Sequence, residues 1–130
     1  MKLILLIDDN VDILENLSEY LRLEGYHILT ADNEKKGIVQ ASEFLPELVI
    51  CAMPWRNIDV HTDFTLLINA MTGLGIPFIL SSTESEVISR SKALQLGAEG
   101  YIIKPFELDN MLQIIKTSMR TGNKKQKCSV

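Results

Sequence analysis

The fold class this sequence predicts is α/β, with five strands alternating with five helices and a parallel sheet covered on both sides. Three observations carry it. Short apolar runs bounded by turn residues recur along the 130 residues. Segments with helical periodicity separate them. The runs show no polar alternation, as expected of strands buried on both faces. Strands that alternate with helices in this way pair in parallel through crossover connections.

The first run is Leu3–Ile7. Ile13, Leu14, Leu17 and Leu21 then share a helix face, and Gly25 follows as a stop. His27–Thr30 is the second strand. Gly37, Ile38, Ala41 and Leu45 share the next helix face, ended by Pro46. Leu48–Cys51 is the third strand, and Phe64, Leu67, Ile68 and Met71 mark a helix ending near Gly73. Phe78–Leu80 is the fourth strand, before a helix with Val87, Ile88 and Leu94 that Gly97 closes. Tyr101–Ile103 is the fifth strand, and Leu108, Leu112, Ile115 and Met119 form the last helix face. No repeat and no second domain is evident, so residues 1–120 read as one domain. From about Thr121 the apolar pattern stops. Residues 121–130, with Lys124, Lys125 and Lys127, read as a basic flexible tail or the start of a linker.

The formal net charge of −4 disfavours nucleic-acid binding by the domain. Two cysteines make no disulfide framework; Cys51, in an apolar run, reads as a small buried hydrophobe, and both suit a reducing cytoplasm. The apolar start meets Asp8 and Asp9 too early for a signal peptide, and no apolar run is long enough to span a membrane.

In a sheet of this class, ligands sit outside the carboxyl ends of the strands. Asp8 and Asp9 fall there after the first strand, Ala52 after the third, Ser82 and Thr83 after the fourth, and Lys104 after the fifth. Adjacent carboxylates can hold a hard divalent cation. Equally, they can favour the positive end of the first helix, with Asn10 as its cap. Lys104 can reach across to the carboxylates or to an anion, or be a surface lysine beside a turn. His27 and His61 sit in no ligand-like motif, which excludes a zinc site and a catalytic triad.

Taken together, LILLIDDN, LRLEGYHILTADN, PELVI, IPFILSST and ALQLGAEGYIIKPF resemble the receiver domain of bacterial two-component response regulators, over roughly Leu3 to Met119. The resemblance implies a flavodoxin-like, doubly wound three-layer sandwich. The strand order 2-1-3-4-5 is taken from the family rather than derived. It implies that Asp8 and Asp9 form the acidic pair that holds Mg²⁺ and that Lys104 pairs with a phosphoryl group. Ser82 and Tyr101 match the hydroxyl and aromatic residues that respond to that group. Partners, a sensor kinase or a downstream effector, would meet the face of helix 4, strand 5 and helix 5. A homodimer is a further association the family allows.

The match fails at PELVICAMPWRNIDV, where Ala52 occupies the phospho-accepting aspartate's position. Alanine accepts no phosphoryl group and supplies no metal ligand. Pro54 removes a backbone N–H that in the family contacts the phosphoryl group, and Trp55 and Arg56 complete an altered loop. Asp59 lies too far along, and Cys51 should point to the opposite side from Ala52. With two carboxylates facing one lysine, Asp9 is expected to pair with Lys104 without an ion, and Arg56 can add positive charge. The reading is a cytoplasmic pseudo-receiver: a non-enzymatic protein-interaction module that requires no cofactor and binds Mg²⁺ weakly at best. One alternative is a phosphorylatable receiver, with Ala52 engineered or offset by a substitute acceptor. The other is a small-molecule binder on a flavodoxin-like frame, against which IDDNVD would repel an anionic ligand.

Overall fold

The computed structural model describes residues 2–52, 62–82, 87–104 and 107–128, with side chains for 2–52, 63–82, 90–104 and 107–119. The elements are β1 (Leu3–Ile7), α1 (Val11–Leu23), β2 (His27–Ala31), α2 (Glu34–Phe44), β3 (Leu48–Ala52), α3 (Thr62–Leu74), β4 (Phe78–Ser82), α4 (Val87–Gln95), β5 (Gly100–Ile103) and α5 (Leu108–Cys128). The five strands form one parallel sheet in the order β2-β1-β3-β4-β5. The alternation of strand and helix, and the order implied by the resemblance, are both present.

Two apolar layers flank the sheet, and residue parity within each strand assigns side chains to them. Ile4, Leu6, Leu48, Ile50, Ile79 and Ile102 pack against Leu14, Leu17 and Leu21 of α1 and Met111, Ile115 and Met119 of α5. Leu5, Ile7, Val49, Cys51 and Leu80 pack on the other face against Ala41 of α2, Phe64, Leu67 and Met71 of α3, and Ala93 of α4. Burial on both faces explains why the strands read as unbroken apolar runs.

Local chemistry sets the helix ends. The Asn10 side chain caps α1 by accepting from the Ile13 N–H at 3.2 Å, as the first-helix reading allowed. Gly25, at φ +97°, stops it. Asn33 caps α2 in the same way through the Lys36 N–H at 2.9 Å.

Several expected helix faces are corrected. Leu45 lies outside α2 as its left-handed cap at φ +48°, 58% exposed, because Pro46 disfavours helical backbone at the residue before it. Leu94 is exposed and the neighbouring Ala93 is fully buried; a small residue lets α4 approach the sheet. In α5 the buried stripe begins at Met111 rather than at the exposed Leu108. The backbone of α5 also stays helical to Cys128, through the stretch expected to be a flexible tail. Lysine and glutamine, which fill positions 124–127, are good helix formers.

Candidate functional site

The strand order places the site. From β1 the chain moves to the edge strand β2, and from β3 it moves the opposite way towards β4 and β5. Their carboxyl ends therefore open a crevice between the diverging connections, and Asp8 and Ala52 lie at its two sides. Residue parity then fixes which side of the sheet each side chain takes. Asp8 continues the face of Leu6, Ala52 that of Ile50, Ser81 that of Ile79, and Lys104 that of Ile102. All four thus turn towards the α1 and α5 side. Ala52 and Ser81 are direct neighbours in the β3–β4 register.

Asp8 is the centre of this group, 8% exposed. Its N–H extends the ladder to the Ala31 carbonyl at 3.1 Å. One carboxylate oxygen, Oδ1, accepts from the Asn10 N–H at 3.0 Å. The other, Oδ2, accepts from Lys104 Nζ at 2.6 Å, an ion pair whose side chains are 16% and 9% exposed. Lys104 is itself aimed by its backbone, since its N–H donates to the Ser82 carbonyl at 2.8 Å. The lysine's partner is thus Asp8 and not the expected Asp9. The cause is parity: Asp8 faces the Lys104 side, whereas Asp9 is one residue on and exposed.

A cavity of about 190 Å³ opens beside the pair, lined by Ile7, Asp8, Asp9, Asp32, Asn33, Glu34 and Ala52. Asp32 is bridged to Lys36 at 3.0 Å. Four carboxylates therefore border the cavity, two of them held by lysines. Sequence reasoning missed Asp32, Asn33 and Glu34. The signal was present: an Asp-Asn pair precedes a helix after β2 just as Asp9-Asn10 does after β1. Among the described residues, no group of three or more His, Cys, Asp or Glu side chains is placed to hold a metal ion.

Cys51 points to the opposite face from Ala52, as its parity required, and is 1% exposed. Burial, with the Glu34 and Asp8 carboxylates adding to it, pushes its thiol far above the ordinary range. The neutral thiol is a poor nucleophile. Ser82 is buried and lies on the same sheet face as Tyr101, which is partly buried against the α2–α3–α4 layer. Tyr101 also borders an open groove of about 690 Å³ with Arg90, Leu94, Ile103, Glu107 and Ile114, contributed by α4, β5 and α5 and the approach to α5. Pro54, Trp55, Arg56, Asp59 and Thr83 lie outside the described residues, as does Pro105.

A family model described as "Response regulator receiver domain" matches residues 4–116. The transcriptional regulatory protein PrrA of Mycobacterium tuberculosis is 30% identical over 117 residues, which cover 90% of this chain and 49% of PrrA. The transcriptional regulatory protein KdpE of the same organism is 31% identical over 124 residues, covering 92% and 52%. This chain thus spans about half the length of these relatives. Solved structures share its fold, among them these two. A receiver domain protein (CheY-like) from Methanospirillum hungatei has a TM-score of 0.79 at 24% identity, over 96% of this chain and 98% of that one. NtrX from Brucella abortus has a TM-score of 0.84 at 23% identity, over 98% and 29%.

Proposed function

This chain belongs to the family of response regulator receiver domains, and from that premise we propose that it is a pseudo-receiver, signalling through its folded surface and not through a phosphoryl group. The observation that carries the proposal is Ala52. It ends β3 beside the Asp8–Lys104 pair, where the family places its phospho-acceptor. A methyl group offers no oxygen for acyl phosphate formation. Cys51 faces away with its thiol held neutral, so it does not substitute.

Among the described residues, the side chains supply too few free oxygens to fit a resident Mg²⁺. Hard cations collect several oxygen ligands. Both Asp8 oxygens are already engaged, one by a backbone N–H and one by an ammonium group, and Ala52 contributes none. In this reading Lys104 provides the positive charge that a cation would otherwise bring to Asp8. The pair ties the end of β5 to the end of β1 across the sheet.

The partner face of the proposal is the groove beside Tyr101, lined also by Arg90, Glu107 and the 59% exposed Leu94. An apolar residue among charges suits a folded partner. A sensor kinase or a downstream effector would be read there, with no catalysis assigned to this chain and a cytoplasmic setting. Among the described residues, no helix is long and apolar enough to cross a membrane. The acidic cavity disfavours anionic metabolites. The test is the fluorescence of Trp55, the sole tryptophan, during addition of Mg²⁺ and then beryllofluoride, with Ala52→Asp alongside. Silence in the parent with a response in Ala52→Asp supports the proposal. A saturable Mg²⁺-dependent response in the parent overturns it.

A further inference from the structure

Among the described residues β2 is an edge strand, paired only with β1. In that ladder the His27 N–H donates to the Lys2 carbonyl and the Ala31 carbonyl accepts from the Asp8 N–H. In a parallel pair, alternate residues bond to the neighbour. His27, Leu29 and Ala31 therefore address β1, and Ile28 and Thr30 turn their N–H and C=O groups outward. Such a row is a template for pairing with another strand.

Both outward carbonyls are occupied from the helices. Arg22, in the last turn of α1, donates from Nη2 to the Ile28 carbonyl at 3.4 Å. Gln40 of α2 donates from Nε2 to the Thr30 carbonyl at 2.6 Å. These helices lie on opposite faces of the sheet, so the edge is bracketed from both sides. The strand carries few defences of its own. HILTA contains no proline and no lysine or glutamate, and Ile and Thr favour extended backbone.

We propose that Arg22 and Gln40 close the β2 edge against a second copy of this chain, and that removing both donors opens it to antiparallel β2–β2 pairing. A second copy is the fitting occupant because a two-fold axis at Leu29 makes the edge self-complementary. Ile28 of one copy would exchange both its outward hydrogen bonds with Thr30 of the other.

The test uses the full chain with Arg22→Met and Gln40→Met together, which keep the aliphatic stems and helix propensity but remove both donors. Sedimentation over a concentration series reads mass, and amide hydrogen exchange reads Ile28 and Thr30. The expected result is association beyond the parent's, with both amides gaining protection. Adding Thr30→Pro should reverse it, because that N–H faces outward and proline is tolerated there. Should circular dichroism show the double variant unfolded, Arg22→Leu with Gln40→Leu, which also removes both donors, is read in the same way. No added association overturns the proposal, as does association that leaves the two amides exchanging as in the parent.

Discussion

Replacing Lys104 by methionine isolates the ion pair at the site. The methionine keeps most of the packed stem and deletes the charge. Asp8, 8% exposed in the parent, then keeps the Asn10 N–H as its carboxylate's partner among the described residues. Removing one partner of a buried pair costs about 3–5 kcal/mol. These side chains are 16% and 9% exposed, and Asp8 keeps one hydrogen bond, so the expected loss falls to about 2–3 kcal/mol. For a domain of this length that lowers the melting temperature by about 7–11 °C. Urea unfolding of the parent, Lys104→Met, Asp8→Asn and the double variant closes a mutant cycle. The double variant should recover most of the loss, because it leaves no uncompensated charge. Mg²⁺ should raise the melting temperature of Lys104→Met more than that of the parent, since Asp8 is then free beside Asp9. A loss below about 0.5 kcal/mol in Lys104→Met would show that the pair contributes no more than an ordinary surface substitution.

Further substitutions test the packing and the backbone. A Cβ at Gly37 would overlap Ile7 Cδ1 and lie 3.0 Å from its Cγ1. Gly37→Ala should therefore destabilise the fold by about 1–3 kcal/mol despite its better helix propensity, and Ile7→Val in the same chain should relieve part of the loss in urea unfolding. Leu45→Gly should stabilise by roughly 0.5–1 kcal/mol, because the exposed leucine holds φ +48°. An unchanged or lower midpoint would show that the cap carries no strain. The raised Cys51 thiol has a definite sign. Its stabilisation is complete below the unfolded thiol's range, about pH 8.5, and is lost as pH rises above it, because the unfolded thiol ionises first. In a Cys128→Ser background, Cys51→Ala should flatten the alkaline fall in stability. Alkylation of Cys51 in that background should require opening of the fold and level off at the opening rate at high reagent concentration.

Much of this was legible in the sequence because it depends on local chemistry. Apolar runs mark strands covered on both faces, and Asn10 and Gly25 punctuate α1 at the positions read for them. Leu45 was misplaced because helical periodicity ignores the restriction that Pro46 imposes on its neighbour. Leu94 was misplaced because periodicity does not distinguish a large exposed residue from the small Ala93 that close packing selects. At the site, the residue types and their end of the sheet were legible. The choice of Asp8 over Asp9 by Lys104 was not, since it depends on which sheet face each side chain takes across a long-range contact. The contribution of Asp32, Asn33 and Glu34 needed the adjacency of β2 and β1.

If Ala52 leaves this receiver without a phospho-acceptor, intact-mass spectrometry with a small phosphodonor will read it on the whole chain. The parent chain and Ala52→Asp are incubated with acetyl phosphate and Mg²⁺ at neutral pH and measured before hydrolysis. The parent should gain no phosphoryl mass at any time point, whatever Ala52→Asp does with the remaining loop. A Mg²⁺-dependent phosphoryl increment on the parent, mapped by peptide analysis to a residue bordering the Asp8–Lys104 pair, would contradict it.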